Sequence, residues 1–176
     1  MVKKIRSYFR QDDASASLEF ALLFIPYLLL TLGIIEISLM FTAGTLLEGA
    51  TSSAGRLIRT GQIQQASVED PEAMFRDALC DYATVLINCN EVEVEVIQLD
   101  SFADAATNSP QFDEDGNFVS QGFTPGGSND RVLIRIAYRY RVITPMVGTL
   151  LAGEDGARLF LSTLVLQTEP YEFEGA

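Results

Sequence analysis

From Phe20 to Ile35 the chain carries no charged side chain, and if the single Glu36 is tolerated the apolar run extends through Phe41. At 1.5 Å per residue that is about 33 Å of helix, long enough to span a bilayer. Past the run the helical period persists: Ala43, Leu46, Leu47, Ala50, Ala54, Leu57 and Ile58 form one stripe along a stem. Gly44, Gly49, Gly55 and Gly61, with the stem alanines, keep it thin and permit close helix approach. The stripe packs on a neighbouring helix, on the chain's own remainder, or on each along different lengths. Residues 15–65 therefore read as one long helix, its membrane part about 18–41, punctuated by Pro26 and Gly33. Because a proline removes one backbone hydrogen bond, a kink is expected there.

Downstream the pattern changes. Asp70-Pro71-Glu72 has the chemistry of a helix start, with Asp70 as N-cap and Pro71 at the first position, and the helix is expected to run to about Leu86. Glu91 to Val96 alternates strictly, as a strand wet on one face does. Arg131 to Val142 alternates too, with Arg131, Arg135, Arg139 and Arg141 on one side. The two segments predict an antiparallel pair whose solvent face is a Glu/Arg ladder. Between them, residues 103–130 are rich in Asp, Asn, Ser, Gly and Pro and carry Phe112, Phe118 and Phe123, which make this long loop a candidate partner surface. Asp113 to Asn117 lacks the twelve-residue calcium pattern, and its Asp-Gly pair reads as a hairpin turn. Thr144-Pro145 caps a short helix to about Leu151, Gly153 to Gly156 turn the chain, and Ala157 to Gln167, apolar on both faces, reads as a central strand. The fold class is α+β: a 1–14 leader, the long helix, and a 66–176 head with a three- or four-stranded antiparallel sheet.

Charge gives this arrangement a direction. Lys3, Lys4, Arg6 and Arg10 precede the apolar run and no Lys follows it, which keeps the N-terminus cytoplasmic and exports the head. Residues 1–41 hold four basic and four acidic side chains, leaving 8 and 20 beyond, so the exported part carries a formal charge of −12. Such a surface repels nucleic acid and anionic lipid. A cleaved signal peptide is not favoured, since the run is longer than an ordinary h-region and Met40 to Gly44 offers no Ala-x-Ala site. Cys80 and Cys89 fall on the exported side, where a disulfide persists and the loop is easily closed; the alternative is two free thiols. A metal pair lacks ligands, because the chain has no His and two Cys. Without His, a nucleophile motif or a phosphate-cradling Gly-rich loop, no enzyme activity, cofactor or metal is expected.

Glu19 stands at the inner mouth of the run, where a carboxylate is tolerable but asks for a partner. It marks the interface, or it serves assembly. Ser15 lies four residues earlier, on the same helix face. If the chain were cut between Ala14 and Ser15, the new α-amine could pair with Glu19 of a neighbouring subunit. The block Ala14-Ser15-Ala16-Ser17-Leu18-Glu19-Phe20-Ala21-Leu22 resembles the N-terminus of the TadE-like family, pseudopilins or minor pilins of the tight-adherence (Flp, type IVc) pilus. Gly55 to Gln62 is similar to that family's post-membrane segment, and Glu169-Pro170-Tyr171 to its C-terminal part.

The resemblance implies a pilin-like fold and an aspartyl prepilin peptidase cutting after Ala14. It also makes Ser15 the mature N-terminus and Glu19 the assembly glutamate. The family pattern most often has Gly before the cut, where this chain has the equally small Ala14. Implied partners are the membrane, the peptidase, other pseudopilins, major pilin subunits and the pilus assembly platform, but not nucleic acid. The location implied is the inner membrane, with the head periplasmic or extracellular in a pilus. The rival reading is a single-pass anchored periplasmic sensor or binding domain, in which Glu19 and the stripe do no more than anchor.

Overall fold

The computed structural model describes residues 12–65, 69–83, 86–153 and 155–172, so most of the leader lies outside the described residues. In chain order the elements are α1 (Asp12–Arg59), α2 (Pro71–Ala83), a short 3₁₀ turn (Cys89–Glu91), β1 (Val92–Leu99), α3 (Asp104–Thr107), β2 (Gln111–Phe112) and β3 (Phe118–Val119), then β4 (Arg131–Arg141), α4 (Pro145–Ala152) and β5 (Ala157–Gln167). The α+β class is thus as expected, a long apolar N-terminal helix and a small antiparallel sheet. Two compact units result, one of the residues up to Leu39 with Val142–Gly156, the other of Met40–Arg141 with the chain from Ala157 onward.

In the larger unit the sheet order is β1-β4-β5, antiparallel throughout. Val92, Val94 and Val96 stand opposite Tyr138, Ile136 and Ile134, and all six are buried. The α1 stripe covers this face: Ala43, Leu47, Ala50, Ala54 and Ile58 are fully buried. The approach is close, since a Cβ on Gly55 would lie 2.7 Å from the Leu164 side chain and one on Gly49 2.7 Å from the Tyr82 ring. The stem stripe and these two glycines are therefore used by the chain's own head. Gly33 and Gly44 face open space.

α1 passes through Pro26 and Gly33 as continuous helix. It stops at Arg59, short of the expected Gln65, for a local reason. Gly61, at φ +75°, donates to the Ile58 carbonyl while Gln62 donates to that of Leu57, the paired bonds by which a left-handed glycine closes a helix. The α2 start follows the sequence, with the Asp70 carboxylate accepting from the Ala73 N–H at 3.0 Å; its helix is described to Ala83, short of the expected Leu86.

Two expectations about the sheet need correction. β5 is an edge strand, not the central one; β4 takes the centre, with Arg131–Tyr138 paired to β1 on one side and Arg131–Arg141 to β5 on the other. The anticipated Glu/Arg ladder is not wet along its length: its Glu95–Arg135 pair forms at 2.8 Å and is buried. The polar 103–130 stretch folds over that face and does not hang free. Asn108 receives bonds from Arg135, the Gln121 N–H donates to Glu95 at 2.9 Å, and Arg139 donates to the Gly116 carbonyl. Residues 122–124 also bond Val96 along the outer edge of β1. Within this stretch β2 and β3 form the hairpin that Asp115-Gly116 predicts, with Gly116 at φ +75°.

Candidate functional site

Among the described residues one helix, α1, is long and apolar enough to cross a membrane. Its side chains from Leu18 to Phe41 confirm which surface is unshielded: Leu22, Leu23, Leu30 and Phe41 are each more than three-fifths exposed. Glu19 is exposed at the start of this surface. The Ala14–Ser15 peptide lies inside the first turn of α1; the side chains of these two residues are outside the described ones. Ser15 and Glu19 thus share one helix at the spacing of adjacent turns.

Glu36, the lone acid in the apolar run, has a place that its sequence neighbours do not reveal. It is 1% exposed. Its carboxyl accepts from the main-chain N–H groups of Ile143 at 3.0 Å and Thr144 at 3.1 Å, and from the Thr144 hydroxyl at 2.7 Å. Thr144 is the N-cap of α4, yet its side chain makes no capping bond within that helix, since the hydroxyl is turned to Glu36. Glu36 thereby stands at the positive end of α4, where donors are left over by helix geometry. The only signal in the sequence was the pairing of types, an acid in an apolar run and a Thr-Pro helix start more than a hundred residues on.

The segments Gly55–Gln62 and Glu169–Tyr171 meet. The Glu169 N–H donates to the Arg59 carbonyl at 2.8 Å, and the two side chains form an ion pair at 3.3 Å. Tyr171 lies over Gly61, where a Cβ would come within 2.6 Å of the ring. Burial pushes the Tyr171 phenol pKa up, and the negative charge of Asp130 adds to the effect.

Cys80 and Cys89 are joined by a disulfide that ties α2 to the 3₁₀ turn before β1. The three loop phenylalanines do not form one exposed surface. Phe118 is buried, Phe123 sits edge-on against Phe75 of α2, and Phe112 is the half-exposed member. The expectation that all three present one surface is corrected, because Phe118 and Phe123 hold the loop to the head. Among the described residues there is no cluster of three or more His, Cys, Asp or Glu able to hold a metal ion.

No curated protein and no solved structure matches the chain. Residues 14–56, about a quarter of the chain, match the family model described as TadE-like protein, the family that the N-terminal block resembles.

Proposed function

We propose that this protein is a minor pilin or pseudopilin that helps initiate or assemble a tight-adherence (type IVc) pilus. The observation that carries the reading is a coincidence of boundaries: the family match over 14–56 falls within α1, Asp12–Arg59, so the shared stretch is the helix itself. In this reading residues 1–14 are a cytoplasmic leader, removed by a prepilin peptidase between Ala14 and Ser15. Residues 18–41 then span the inner membrane, and the head from residue 66 onward is periplasmic or exposed on a filament. The freed amine of Ser15 pairs with Glu19 of a neighbouring subunit, setting the register of helices packed side by side. The exposed apolar side chains of this span supply the packing surface.

N-terminal sequencing from cells with and without the peptidase tests the processing step. A start at Ser15 that depends on the peptidase is expected; an intact Met1 in both strains would favour a merely anchored sensor or binding domain. Glu19→Gln and Glu19→Ala are expected to abolish recruitment into the assembly while leaving membrane insertion intact, and fibres built at normal levels with the variant subunit in place would refute the assembly role.

A further inference from the structure

The connection between β4 and β5 is far longer than it needs to be. Arg141 pairs with Ala157, and two antiparallel neighbours can be joined by as few as about two residues. This chain instead inserts Val142 to Gly156, which closes on itself through the Val142 N–H to the Gly156 carbonyl at 2.9 Å. The insertion belongs to the same compact unit as the apolar half of α1. From Ile143 to Ala152 it contains no charged residue. Ile143 is 67% exposed and Leu150 85% exposed, while Val147 is buried.

Depth along α1 locates this apolar surface. With residues 18–41 centred on the bilayer, Glu36 lies about 10 Å above the midplane at 1.5 Å per residue, inside a hydrocarbon layer whose half-thickness is about 15 Å. Ile143 and Thr144, within 3.1 Å of its carboxyl, share that level. In hydrocarbon neither the acid nor the two N–H groups would find water, and each satisfies the other.

We infer that residues 143–152, an exception to the otherwise periplasmic head, form a second membrane element, an apolar helical loop seated in the outer leaflet and tethered to the spanning helix by Glu36, with lipid acyl chains covering Ile143 and Leu150. The inference rests on the reading of residues 18–41 as a membrane span, and its test separates the two.

The chain has no tryptophan, so Leu150→Trp and Leu28→Trp each introduce a single fluorophore at an exposed or half-exposed apolar site. The full-length variants are placed in phosphatidylcholine/phosphatidylglycerol vesicles whose acyl chains are brominated in either the upper or the lower half. Emission from Leu150→Trp is expected to be blue-shifted and most strongly quenched by the upper-half bromines, that from Leu28→Trp by the lower-half ones. Quenching at position 28 but not at 150 would overturn the outer-leaflet element and leave the span standing, whether position 150 reports water or a protein cover. No quenching at position 28 would overturn both. Adding Glu36→Ala to Leu150→Trp is expected to weaken the quenching at least twofold, and unchanged quenching would overturn the tether.

Discussion

Among the described residues two carboxylates disappear from solvent, and they are accommodated by different chemistry. In the larger unit Glu95, 0% exposed, is met by the Arg135 guanidinium at 2.8 Å under the polar loop. In the smaller one Glu36 is met by two main-chain N–H groups and a hydroxyl at the start of a helix. An opposite charge compensates strongly but is itself costly to bury, so removing one partner strands the other. Helix-end donors carry partial charge only and are present wherever a helix begins, so they suit a setting in which a full cation would be expensive.

The difference can be broken at each site. Arg135→Met is expected to destabilise the head by about 3–5 kcal/mol, because Glu95 is left charged without its partner. The double variant Arg135→Met with Glu95→Leu should recover most of that in thermal melts, and equal losses for single and double variants would sink the ion-pair account. Glu36→Ala should cost less, about 1–3 kcal/mol for donors left unsatisfied, read as faster amide hydrogen exchange at Ile143 and Thr144. Glu36→Gln, which keeps one acceptor oxygen, should fall between; exchange unchanged in both would mean that the carboxyl does not hold the loop. Thr144→Val removes the hydroxyl while sparing the N–H, and about 1 kcal/mol is expected.

The smallest effect belongs to an acid that is not buried. Asp113 is held below its usual pKa of 3.8 by the Asn117 side-chain amide, then by the Asn117 N–H. The hairpin support it gives is therefore present above pH 3.8 and lost as pH falls through the lowered value. Asn117→Ala should bring the titration of Asp113, followed by NMR, back toward the ordinary range, and no movement would show that the turn does not depend on that bond.

What the sequence made legible was local. The Asp70 cap, the α1 stripe and the Asp115-Gly116 hairpin are each specified by residues within a few positions of one another, and the structure has all three. The 14–19 block was legible as a motif, and the family match begins there. The ladder was misjudged because alternation shows which residues share a face and not what lies over it; the cover comes from Asn108 and Gln121, in a stretch that reads only as polar. β5 read as central because its apolar residues fill both faces, yet several are merely half-buried on an edge. Glu36 and Thr144 are separated by 108 positions, and no periodicity links them.

The meeting of Arg59 with Glu169 has a mechanical consequence. Besides the packed stripe from Ala43 to Ile58, a pull on the end of α1 reaches the sheet forward through the covalent chain toward α2 and directly across to the residues that follow β5. Tension is shared between these routes, so the end of α1 does not rely on the 11 residues that link it to α2.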